Sequence, residues 1–125
     1  MTEDDWRKVR GVIEHQLDAF AHDDAETAFS FASPKIQKLF QTPASFMAMV
    51  KADYQAVYRP RSVNFLKPAV VEGRALQPVQ LLGPDSVAMV AIYTMEEQTD
   101  GTWKIDGCEL TPSAGVFALL PVVNG

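Results

Sequence analysis

The chain has 125 residues, 47% of them apolar, a single cysteine and a formal net charge of −5. That length suits one domain, which buries roughly two-thirds of the surface its unfolded chain exposes. The acidic balance argues against nucleic acid and against anionic lipid, because both need a positive footprint on the protein.

Cys108 stands alone, so no intrachain disulfide forms and a reducing compartment is expected. The opening residues, Met1 to Trp6, carry neither the basic stretch nor the apolar stretch of a secretory signal, and the chain reads as cytoplasmic. The longest apolar run, Ala114 to Val123, contains Gly115 and Pro121. It is far shorter than the roughly 20 residues a membrane span needs.

Helical signals fill the first half. Thr2 suits an N-cap and Glu3, Asp4 and Asp5 suit the positive end of a helix. Trp6, Val9, Ile13, Leu17 and Phe20 then recur at helical spacing, which predicts a first helix over about Glu3 to Ala21. Asp23 and Asp24 predict the start of a short second helix carrying Ala25, Ala28, Phe29 and Ala32. Ser33-Pro34 breaks it and opens a third, with Ile36, Leu39 and Phe40 on its apolar face. Thr42-Pro43 repeats that capping logic. Phe46, Met49, Val50, Asp53, Tyr54, Val57 and Tyr58 predict one longer helix, ended by Pro60.

From Arg61 the period shortens to two. Val63 and Phe65 predict a strand, with Pro68 at a bulge or an edge. Val70 and Val71 extend that strand, and Ala75 to Leu82 predicts a second one containing Pro78. Gly83-Pro84-Asp85 is a turn, Ser86 to Met95 the strongest strand, and Asp100-Gly101 a hairpin signal. Trp103 to Leu110 is the last strand, followed by an apolar tail to Gly125. Trp103 and Ile105 share one parity while Cys108 and Leu110 have the other, so a bulge near Gly107 would return all four to one face. Helices first and an antiparallel meander last predict an α+β domain over residues 1–125, with N-terminal helices packed on the sheet.

Val87 to Tyr93 is apolar on both faces. One face meets the helices. The other needs a cover, either a second subunit, giving a homodimer through the sheet, or the C-terminal tail folded back.

Two stretches, Gln16-Leu17-Asp18-Ala19-Phe20 with Asp23-Asp24, and Asp100-Gly101-Thr102-Trp103-Lys104-Ile105, resemble the nuclear transport factor 2-like (cystatin-like, ketosteroid isomerase-like) superfamily. More narrowly, Ala28-Phe29-Ser30-Phe31-Ala32-Ser33-Pro34, Phe46-Met47-Ala48-Met49-Val50 and Val57-Tyr58-Arg59-Pro60 resemble a bacterial family known as domain of unknown function 4864. The superfamily resemblance implies a curved sheet and helices forming a cone with an internal pocket. It spans isomerases, dehydratases, hydrolases and non-enzymatic binding proteins, so the fold does not decide the function.

Four groups of residues bear on chemistry. An isomerase of the ketosteroid type needs a carboxylate base and an oxyanion hole of a tyrosine with a protonated acid. Asp53, Tyr54, Tyr58 and Asp106 are the available set, although strand alternation sends Asp106 away from Trp103 and Ile105. His15, Asp18 and His22 fall on one helical side, which suits either a metal or a wet helix face. No further ligand is suggested, so no metal or cofactor is predicted. Cys108 is either a nucleophile or a small core residue. Tyr54, Tyr58 and Arg59 end the helix that should roof the sheet, and there they would hold the anionic head of a ligand. Gln80, Tyr93 and Trp103 would add one polar contact and aromatic walls. The bland alternative makes the tyrosines packing residues and pairs Arg59 with Glu109 or Glu72. The expected function is therefore a small-ligand-binding or accessory domain with an apolar pocket between helices and sheet, taking an apolar or anionic ligand. A small isomerase or dehydratase is the second reading, and a purely structural homodimer with a filled cavity the third.

Overall fold

The computed structural model describes residues 1–113. Among the described residues, five helices precede five strands: α1 (Glu3–Ala21), α2 (Ala25–Ser30), α3 (Pro34–Phe40), α4 (Pro43–Asp53), α5 (Gln55–Tyr58), β1 (Ser62–Phe65), β2 (Ala69–Val71), β3 (Arg74–Leu82), β4 (Ala88–Glu97) and β5 (Trp103–Pro112). The strands form one antiparallel sheet in the order β1-β3-β4-β5, with β2 also paired to β3. The predicted α+β class is the observed one.

Local chemistry accounts for most helix starts. Thr2 caps α1 in a reciprocal box with Asp5. Asp24, Ser33 and Thr42 each accept a hydrogen bond from the backbone three residues on, and Pro34 and Pro43 occupy the first turns behind the last two caps. Buried Val9, Ile13, Leu17 and Phe20 of α1 meet Phe29, Phe46 and Val50 of α2 and α4 and the inner face of the sheet. Burying side chains of this size stabilises the fold by roughly 1.5–3 kcal/mol each.

The single helix predicted through residue 58 is instead two. Tyr54 leaves helical geometry at φ −130° and ψ 49° and separates α4 from α5. Its hydroxyl donates to the Cys108 carbonyl at 3.1 Å, and buried Ala56 and Val57 follow on α5. A tertiary contact, not a local breaker, makes the kink.

Pro68 and Pro78 fall together. The β1–β2 edge is interrupted at 66–68, alongside Gln77 and Pro78 of β3. Buried Gln77 fills the interruption, its Nε2 donating to the carbonyls of Leu66 and Pro78 at 2.9 Å each. Pro78 has no N–H to offer a ladder, so the gap beside it is where a proline is tolerated.

The bulge expected near Gly107 is present. Ile105 pairs with Met95 and Gly107 with Thr94, leaving Asp106 unpaired between them. Beyond it Cys108 pairs with Tyr93 and Leu110 with Ala91, back on the inner face.

On the outer face, Gln80 lies between Asn64 and Val90 and donates to Ser113 Oγ at 3.1 Å. Ser113 is fully buried there. The remainder of the tail, residues 114–125, lies outside the described residues.

Candidate functional site

Between α1, α3, α4, α5 and the inner face of the sheet lies a cavity of about 420 Å³. Each wall follows from local sequence. Phe20 comes from the apolar stripe of α1, Val50 from α4, and Tyr93 and Cys108 from the cross-strand pair of β4 and β5. The outer wall is α3, through Ile36, Leu39 and Phe40. The chain enters α3 along the edge of β5: Ile105 N–H donates to Phe31 O and Ser33 N–H donates to Ile105 O, both at 2.8 Å.

Polar groups in these walls are few. Gln16 is buried and its Nε2 donates to the Ala28 carbonyl at 3.1 Å, which ties α1 to α2. Tyr54 is half-buried. Burial, then the neighbouring Cys108, Asp53 and Glu109, raise its phenol above the ordinary value. Tyr93 is 1% exposed, and its hydroxyl has no hydrogen-bond partner among the described residues. Burial first, and Cys108 second, push it well above the usual tyrosine range, so it is a neutral donor at any physiological pH. The Cys108 thiol is pushed up to about 12, by burial and then by Glu109. It stays protonated, whereas a cysteine nucleophile must be a thiolate. Asp53 stands exposed where α4 ends.

Of the six predicted ligand residues, only Tyr54 and Tyr93 line this cavity. Tyr58 and Arg59 lie at the C-terminal end of α1. Arg59 donates to the carbonyls of Phe20 (3.0 Å) and Ala21 and to Asp23 Oδ2 (3.0 Å), with its guanidinium 4.4 Å above the Tyr58 ring. The Tyr58 hydroxyl donates to Asp23 Oδ1, and Lys51 approaches Asp23 at 3.8 Å. A guanidinium on terminal carbonyls complements the helix dipole. Arg59 thus has Asp23 as its acidic partner, in place of Glu109 or Glu72. Gln80 is on the outer face. Trp103 is buried at the far end of the sheet, beside a second cleft of about 360 Å³ with Arg74 and Asp106, and its Nε1 has no partner among the described residues.

The isomerase set is likewise divided. Asp53 and Tyr54 are at the cavity, Tyr58 is hydrogen-bonded to Asp23 beyond α1, and Asp106 sits in the bulge with a side chain only 9% exposed. There it accepts from Ser33 Oγ at 2.7 Å and faces Lys35 at 3.2 Å and Arg74 at 3.6 Å. Asp106 therefore pins the start of α3 to β5. His15 stacks on Phe31 at 6.0 Å, while His22 Nδ1 lies 2.9 Å from the Asp18 carbonyl. All three members of that group are exposed. Among the described residues no cluster of three or more His, Cys, Asp or Glu side chains is placed to hold a metal. Also among the described residues, no helix is long and apolar enough to cross a membrane.

Sequence reasoning missed Gln16 and the pairing of Ser33 with Asp106. A signal existed for the first: Gln16 interrupts an apolar stripe at a core position, between Ile13 and Leu17. None existed for the second, whose members lie 73 residues apart.

These features define a helix-on-sheet α+β domain with an apolar cavity under the helices. The family model of the domain of unknown function DUF4864 matches residues 2–117, and the chain belongs to that family. No curated protein and no solved structure matches it.

Proposed function

We propose that this chain is a non-catalytic ligand-binding domain of nuclear transport factor 2-like type, holding a small apolar molecule in the cavity between helices and sheet. The superfamily reading is supported by the element order, helices first and then an antiparallel sheet. The binding reading is carried by one observation, an apolar-walled space of about 420 Å³ whose lining includes Tyr93, a residue whose buried hydroxyl has no hydrogen-bond partner among the described residues. An unsatisfied buried hydroxyl costs about 1–3 kcal/mol, a cost that a ligand acceptor would remove. Sites for small molecules have this character: apolar walls and a few converging polar groups.

Catalysis is the weaker reading because only Asp53 and Tyr54 of the expected set line the cavity. Acid–base chemistry needs a base and an acid within hydrogen-bond reach of one substrate. Asp106 and Tyr58 are committed elsewhere, and Cys108 is a thiol.

The test is a titration of wild type and Tyr93→Phe with octan-1-ol, followed by amide chemical shifts and by urea unfolding. Wild type should bind with shifts centred on Tyr93, Ile105 and Cys108. Tyr93→Phe should unfold at equal or higher urea, because it removes an unpartnered hydroxyl, and should bind about tenfold more weakly. No shifts in wild type, or a Tyr93→Phe protein destabilised by more than about 1 kcal/mol, would count against the proposal.

A further inference from the structure

We infer that the cavity selects ligands by charge, favouring an apolar compound that ends in a basic nitrogen and disfavouring carboxylates. The inference rests on the binding reading above and names its ligand class. Sequence alone pointed to an anionic head group, because Arg59 was expected at the mouth. The structure places Arg59 on α1 carbonyls and Asp23 instead. No lysine, arginine or histidine lines the cavity among the described residues. Among the described residues, the one formal charge in its walls is the Asp53 carboxylate, which is exposed and has no ion-pair partner there.

The backbone adds to this field. Asp53 is the last residue of α4, an eleven-residue helix whose C-terminal end carries partial negative charge. Lys51 in that last turn is turned to Asp23 and lies 5.5 Å from the Tyr58 ring, so it does not offset Asp53. On α3, Lys35 is held by Asp106. Lys38 is exposed on α3 and is not among the lining residues. Inside, Tyr93 is neutral and cannot hold an anion by charge, though it can donate one hydrogen bond. A ligand with an alkyl or aryl body, a hydrogen-bond acceptor near Tyr93 and an ammonium at Asp53 matches all three features. A carboxylate would meet Asp53 with like charge and find no cation.

The experiment uses one skeleton with three heads: octylamine, octan-1-ol and octanoate, titrated at neutral pH and low salt with amide shifts as the readout. Octylamine should bind roughly threefold to fivefold more tightly than octan-1-ol, the range of an exposed ion pair, and octanoate should bind most weakly. Asp53→Asn should bring octylamine and octan-1-ol to the same affinity. Asp18→Asn makes the same change in net charge away from the cavity, and it should leave the order intact. Added salt should shrink the octylamine advantage. Octanoate binding as tightly as octylamine would overturn the charge inference while leaving the cavity reading in place. So would an amine preference that survives Asp53→Asn, or one lost equally in Asp18→Asn. No binding of any of the three would overturn both.

Discussion

At the scale of single residues, Asp23 carries an unusual load. It adopts φ 54°, a conformation that Asp tolerates better than most residues, directly after α1. Its two carboxylate oxygens serve the Tyr58 hydroxyl and Arg59, so it ties α5 to the end of α1. The Tyr58 hydrogen bond, then the charges of Arg59 and Lys51, hold its carboxyl below the ordinary 3.8. A depressed folded value means the stabilisation is present above pH 3.8 and is lost as pH falls through the lower folded value. Asp23→Asn should therefore melt below wild type at pH 7, and the two melting curves should converge as the pH is taken under 3.8. A constant gap between the curves at all pH values would show that the carboxylate charge plays no part. The same cluster shows how far residue roles were legible. Tyr54 reaches the cavity from the break between α4 and α5 and not from the spacing of one continuous helix, whereas Tyr93 was readable as an inward residue from strand parity. Tyr58 and Arg59 were not, because their partner lies 35 or 36 residues earlier in a loop whose path the sequence does not encode locally.

At the scale of elements, α3 differs from its neighbours. It spans seven residues and none of them is buried. Leu39 is 70% exposed although it lines the cavity, and the helix ends at Gln41 with φ 70°. Few buried apolar contacts predict a low free energy of local opening. Its start is pinned by Ser33 to Asp106 and Ile105 and its middle by Gln37 to the carbonyls of Phe29 and Ala32, so its end is held to the core chiefly by Phe40 on Phe46. Hydrogen exchange should therefore find the amides of residues 37–41 opening at least tenfold more readily than those of β3 and β4. An apolar ligand that packs against Leu39 and Phe40 should slow them. Protection in α3 equal to that in α1 would show that the outer wall is rigid and that access is by another route. The beginnings of α3 and α4 were legible from Ser33-Pro34 and Thr42-Pro43, since caps act within one turn. The bulge was legible too, because side-chain parity in a strand is strict and the apolar positions change parity once. The break at Tyr54 was hidden. It contains no Gly or Pro, and its cause is a hydrogen bond to a strand 54 residues away.

At the scale of the whole molecule, layout was legible from the residues themselves, whereas a pocket between helices and sheet was expected only from the family resemblance. The layout follows from periodicity, 3.6 for the first half and 2 for the second, which any local window reports. Cavity volume is a difference between large packed volumes, set by the rotamers of residues on six elements, and no window contains it. That difference also has an energetic sign. Protein interiors are close-packed, so unfilled space beside Val50, Val57 and Ile105 forfeits contacts that a ligand or a larger side chain would restore. Val57 is 4% exposed and lines the cavity from α5. Val57→Phe adds apolar surface into that space, and where the space is open it should stabilise by about 1 kcal/mol, or about 3–5 °C in Tm for a chain of this size. The same variant should weaken octan-1-ol binding at least fivefold, because stabilisation and occupancy compete for one volume. A side chain forced into a closed core instead costs about 1–3 kcal/mol. Thermal melting of Val57→Phe therefore separates the two remaining readings of the fold. A rise in Tm with loss of binding is the signature of a site held open for a ligand, and a fall in Tm is that of a core already filled by its own side chains.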